Sequence, residues 1–193
     1  MTEYALSHPV RMRPAAWWGM LILIASEAML FACFVATYFY LRFHTAVWPP
    51  RGTPEPKVLF PVLLVAILAA TSVPMQLASV SARAGRARAA LLYVAAALVV
   101  QAGYFAYEVH DFRDQLQRFD ATSSAYGSIY HTLLGADHGH VLLGILFNLW
   151  LLGKLARGLT RYRVNAAQAI AWYWHAVNVI TVVVVLTLIS PRL

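Results

Sequence analysis

Glu27 in the run ASEAMLF, Asp137, His138 and His140 in GADHGH, and His175 with Asn178 in WYWHAVN are polar side chains embedded in otherwise apolar stretches. A charge at the centre of a bilayer costs about 2.5–3.5 kcal/mol or more, so such groups must be neutral, paired across helices, or part of a proton path. Glu27 stands about ten residues into its helix, roughly 15 Å along the axis. Two readings are open for it: a protonated carboxyl bonded to a neighbouring helix, or a group that serves proton or gas access for a partner. The pair DHGH invites a metal reading, but positions 137, 138 and 140 on a helix point in different directions, unlike the i, i+4 histidines of a zinc site. His140 and His175 from adjacent helices are the remaining bis-histidine candidates for haem. A structural polar network explains the same residues with fewer requirements.

Spacing groups these side chains further. His131 and His138 are seven apart and share a face, while Gly135 and Gly139, four apart, predict the close approach of a second helix. His175 and Asn178, three apart, share one side of theirs. Glu108, in QAGYFAYE, has Tyr104 one turn before it on the same face. By depth, Glu27, Glu108, Asp137, His140, His175 and Asn178 form a candidate intramembrane polar or proton-related network.

The elements that must position these residues are apolar runs over 17–41, 58–82, 89–112, 128–155 and 168–190, each near or beyond the roughly 20 residues that cross a bilayer as helix. The expected fold is all-α: a polytopic bundle of five transmembrane helices in one membrane domain spanning 1–193. Composition agrees, with 61% hydrophobic and 12% charged residues, leaving too little polar surface for a water-soluble fold. Pro74 lies inside the second run; it removes the amide that would serve the carbonyl of Ala70, so a bend is expected, with Gln76 and Ser79 near the loosened backbone. The proline-dense segment HTAVWPPRGTPEP is a stiff connection, and the polar stretch 111–124 lacks the periodicity of a core element. Cys33 is the single cysteine, which excludes an internal disulfide, and reads as a small packing residue. No inverted repeat or pair of broken helices argues for transport.

The net charge of +7 is spread over loops without a groove or aromatic platform for nucleic acid, so membrane topology accounts for it better. With the N-terminus inside, nine of the 15 cationic residues (Arg11, Arg13, Arg83, Arg86, Arg88, Lys154, Arg157, Arg161 and Arg163) fall on the inner side. Arg42, Arg51, Lys57, Arg113, Arg118 and Arg192 fall outside, together with Glu55, Asp111, Asp114 and Asp120. The expected orientation is therefore N-terminus cytoplasmic and C-terminus outer. The opening MTEYALSHPVRMRP has no apolar core before a small-residue cleavage site and is not expected to be a secretory signal.

In order and spacing, W.G....I.SE.M.F..F.A.Y from Trp17 to Tyr38, WPP.G at Trp48 to Gly52, QAGYFAYE, SSAYGSIY at Ser123 to Tyr130, HV..G at His140 to Gly144 and YWH..N at Tyr173 to Asn178 resemble subunit III of the haem-copper terminal oxidases, in its five-helix bacterial form. The resemblance covers almost the whole chain. It implies a subunit of the bacterial inner membrane that carries no redox cofactor, with haem and copper in its partners. It further implies packing against haem-bearing subunit I in company with subunit II, phospholipid bound in a cleft, and support of proton uptake and sustained oxygen reduction. Glu27 matches the family's membrane Glu, Glu108 its Glu near the third helix end, and His140 and His175 its two retained histidines.

Two positions depart from the family pattern. Asp137, with His138 beside it, stands where a histidine is usual, and Asn178 where an aspartate is usual. If the two positions meet, the exchange keeps a hydrogen bond and removes an ion pair. An accessory subunit of nitric oxide reductase, from a divergent branch of the same family, is an alternative function. A membrane assembly or lipid-organising protein is a second alternative.

Overall fold

A computed structural model describes residues 15–53 and 57–192, the last without its side chain. The opening segment with Arg11 and Arg13, Glu55 in the first connection, and the Arg192 side chain lie outside the described residues. Among the described residues the chain is helical without strands: α1 Ala15–Phe43, α2 Leu59–Ala70, α3 Ser72–Arg83, α4 Ala87–Arg118, α5 Ala125–Leu155, α6 Arg161–Ile189, and a closing 3-10 turn Ser190–Arg192. Helices α2 and α3 form one apolar rod, so five helices are long and apolar enough to cross a membrane.

Two helices begin before their apolar runs because a side-chain cap sets the start. Thr160 starts α6 seven residues before the apolar run, its side chain accepting the Arg163 amide at 3.3 Å. Ser124 starts α5 by accepting the Gly127 amide at 3.0 Å. Helix α4 continues to Arg118 through DFRDQLQR, a stretch without the periodicity of a core element. The Gln115 amide donates to the Asp111 carboxylate within it, and Phe112 leans its ring on His131 and His138. Between α3 and α4 the chain reverses through a Schellman turn: Arg86 and Gly85 donate to the carbonyls of Ser81 and Ala82 at 2.9 and 3.2 Å. Gly85 has φ +76° there, a conformation a side chain would oppose.

Packing is organised on α6. It touches α1, α2, α3 and α5, while α4 closes the ring by packing on α3 and α5. More than half of the apolar window of α6 is buried, against 11% in α1, which touches only α5 and α6. The ring is therefore open between α1 and α3, and α6 floors the opening.

The bend expected at Pro74 is a break at Thr71, the one residue between α2 and α3. The loosened turn is closed locally: the Thr71 amide and hydroxyl both donate to the Leu68 carbonyl, at 3.0 and 2.5 Å. The same hydroxyl accepts the Trp174 indole N–H at 2.8 Å, which pins the break to α6. Gln76, expected to serve the loosened backbone, instead faces His175.

Candidate intramembrane polar site

Because three consecutive helical steps of 100° spread the side chains around the axis, the DHGH run of α5 serves a different neighbour with each ionisable residue. Asp137, 3% exposed, points at α6 and accepts the Thr181 hydroxyl at 2.8 Å. His138 points at α4, its Nε2 3.4 Å from Glu108 Oε2. His140 points at α1, its Nε2 3.7 Å from Glu27 Oε1.

The histidines share one geometry. The Nδ1 of His140 lies 2.7 Å from the Ala136 carbonyl and that of His138 2.5 Å from the Leu134 carbonyl. A carbonyl accepts only, so Nδ1 carries the hydrogen and Nε2 is the nitrogen that gains or loses a proton. Each Glu thus faces the one ring nitrogen of its His that can accept a proton. At 3.7 Å the Glu27–His140 contact is an ion-pair distance longer than a hydrogen bond. The Tyr173 hydroxyl donates to the same Glu27 oxygen from 3.3 Å, and Phe31 covers His140 with ring centroids 5.0 Å apart.

The remaining network candidates sit at the α3–α6 seam. His175 Nε2 lies 3.3 Å from Gln76 Oε1, and Asn178 donates to the Ser72 hydroxyl at 2.6 Å. The six residues therefore form five separate contacts rather than one chain: Glu27 with His140, Glu108 with His138, Asp137 with Thr181, His175 with Gln76, and Asn178 with Ser72. Asp137 and Asn178 do not pair with one another. Thr181, one turn beyond Asn178 on α6, takes the place expected for it. His140 and His175 face different helices, α1 and α3, so the pair does not converge as axial ligands would. Among the described residues no group of three or more His, Cys, Asp or Glu is placed to hold a metal.

The expected glycine approach also lies elsewhere. A Cβ on Gly139 would meet nothing within 4 Å, and one on Gly135 only the tip of Phe112 at 3.6 Å. A Cβ on Gly144 would stand 2.7 Å from two carbons of Trp174, so that glycine is where α5 and α6 close. Sequence reasoning also missed Thr71, Ser72, Tyr173, Trp174 and Thr181, and the fully buried pair in which Asn148 donates to Gln101 at 3.0 Å. Thr181 carried a signal in its one-turn spacing from Asn178, and Tyr173, Trp174 and Gln101 stood in quoted motifs without a partner assigned to them.

The profile of the family described as cytochrome c oxidase subunit III matches residues 2–190. The chain belongs to that family. Similar proteins include a cytochrome bo(3) ubiquinol oxidase subunit 3 of Pseudomonas aeruginosa, 30% identical over 172 residues, covering 86% of this chain and 80% of the relative. A cytochrome c oxidase subunit 3 of Bacillus subtilis is 29% identical over 171 residues, covering 85% and 80%. One from Strongylocentrotus purpuratus is 26% identical over 185 residues, covering 90% and 69%. Membership in the subunit III family makes this chain a non-catalytic accessory subunit of a respiratory oxidase and implies association with haem-copper oxidase subunits. It also gives the quoted motifs a physical reading. The Glu of SE.M meets the His of HV..G and the Tyr of YWH, and the Gly of HV..G accommodates the Trp of YWH.

Proposed function

We propose that this chain sits in the bacterial plasma membrane with its N-terminus cytoplasmic. There it packs beside haem- and copper-bearing subunits I and II of a terminal oxidase, holds phospholipid, and supports proton uptake during sustained oxygen reduction. The observation that carries the reading is the family match over residues 2–190, on a chain with five helices fit to cross a membrane. The lipid part is supported by the opening between α1 and α3. A cavity of about 260 Å³ lies there, with Arg83, Gln168 and Asn165 around it and Trp172 at its side. At helical spacing from Trp172, α6 also exposes the apolar side chains of Val179, Val183 and Leu186. A cation among amides above an apolar strip suits an anionic headgroup and its acyl chain. The proton part is supported by Glu27, His140 and Tyr173, which bring three helices to one exchangeable proton.

Gently solubilised complex tests the reading. Optical spectra and metal analysis should find haem and copper in the assembly, and this chain, once separated, should show no haem absorbance. A stoichiometric haem on the separated chain would overturn the assignment. Glu27→Ala should leave the partner spectra nearly intact while activity fades sooner during turnover or the subunit is lost more readily. Loss of the partner's metal centres would refute that role.

A further inference from the structure

At the Asp120 end of the bundle a cavity of about 120 Å³ opens between α2 and α4, with α5 and α6 as its floor. That is room for about four waters. Its rim carries the exposed cations Lys57 and Arg118, and its α4 wall carries Asp114, Asp111 and Glu108. These three carboxylates are spaced at i, i+3 and i+6, so they descend one side of α4 in steps of about 4.5 Å. The lowest is Glu108, whose partner is His138. From α5 the wall receives Tyr126 and Tyr130, and Tyr130 bonds Gln115. Helix α6 supplies no titratable group, only Val185, Leu188 and Ile189. Glu27 and His140 line neither this cavity nor the one beside Arg83.

A part-buried carboxyl and imidazole that exchange a proton need a route for it, and Glu108 lies on the wall of a cavity that offers one. We propose that Glu108 and His138 form a proton-binding site in exchange with water at the Asp120 end, reached through this cavity and separate from Glu27 and His140. Asp111 and Asp114 draw protons toward the opening, and the tyrosine hydroxyls and trapped water carry them across the last step. Phe105 and Phe112 pack on His138, with ring centroids 6.4 and 5.4 Å away. The site does not depend on which side of the membrane that end faces.

Silver ion, a thiol reagent small enough for the cavity, tests it in the assembled complex. In a Cys33→Ser background, Glu108→Cys and Leu134→Cys, at the cavity wall, are compared with Asp120→Cys in right-side-out and inverted vesicles. Each variant is exposed to Ag⁺ on one side, washed, denatured and labelled with a maleimide. The expected result is loss of maleimide labelling at 108 and 134 from the same side as at 120, and full labelling from the other. Labelling at 108 and 134 that survives Ag⁺ wherever 120 is blocked would overturn the proposal, as would block from the opposite side. If 120 is blocked only from the cytoplasmic side, the proposed orientation fails while the comparison still judges the site. If Glu108→Cys does not assemble, Leu134→Cys decides.

Discussion

Replacing Gly144 with alanine sets two effects of known sign against each other. Alanine is favoured over glycine in a helix interior by about 1 kcal/mol. The new Cβ, however, would stand 2.7 Å from Cε3 and Cζ3 of Trp174. Ordinary carbon contact is about 3.5–4.0 Å, so the ring must give by roughly 1 Å. Trp174 has little freedom to do so: it is fully buried and its N–H is tied to Thr71 at 2.8 Å. Overpacking of this kind costs about 1–3 kcal/mol. Gly139 is the internal control, since it lies on the same helix with nothing within 4 Å of its would-be Cβ. Gly139→Ala should be neutral or stabilising, and Gly144→Ala should fall below it by about 1–3 kcal/mol, several degrees in Tm for a chain of this size. Thermal unfolding in mild detergent, followed by tryptophan emission, measures the gap. Trp174→Leu combined with Gly144→Ala should recover part of the steric loss as favourable coupling. Equal Tm values for the two alanine variants would refute the close α5–α6 approach and the rigid indole with it.

Thr71→Val keeps the volume but leaves the Trp174 N–H unpaired in a buried site, and should cost about 1–3 kcal/mol in the same unfolding measurement; no change would show that the indole does not hold the α2–α3 break. Gln101→Leu strands the Asn148 amide at similar cost, whereas Gln101→Leu with Asn148→Leu should restore most of the loss, and a double variant no better than the single would disprove the pairing. The Asp120 carboxylate accepts the Thr122 amide and hydroxyl, which hold it below its ordinary value of 3.8. A depressed value stabilises the turn above the ordinary range and is lost as pH falls through the lowered one. Amide exchange at Thr122, corrected for intrinsic rate, should therefore quicken only in acid below the ordinary value; protection unchanged through that range would refute the contact.

What sequence could foresee follows from how far each property reaches along the chain. Membrane crossing depends on some twenty neighbouring residues, so five helices were legible. Helix ends were not, because Ser124 and Thr160 fix them by one hydrogen bond each within polar turns. Pro74 announced a break, but the residue that stabilises it, Trp174, stands 103 positions from Thr71. The divergence of Asp137, His138 and His140 was readable from the helical angle, whereas their partners on three other helices were not. Glycine spacing pointed to 135 and 139; the approach is at 144, because what selects it is a bulky ring on α6, not a second small residue.

The central helix also follows α1 to α5 in the chain. Until α6 inserts, Glu27 lacks Tyr173, Thr71 lacks Trp174, Ser72 lacks Asn178, and Asp137 lacks Thr181. Three of the earlier segments must then wait in hydrocarbon with acids and hydroxyls short of a partner, tolerable only while lipid headgroups, water or insertion machinery attend them. A chain arrested before Arg161 would lack its keystone, and its fate in the cell should be that of an unassembled intermediate marked for proteolysis.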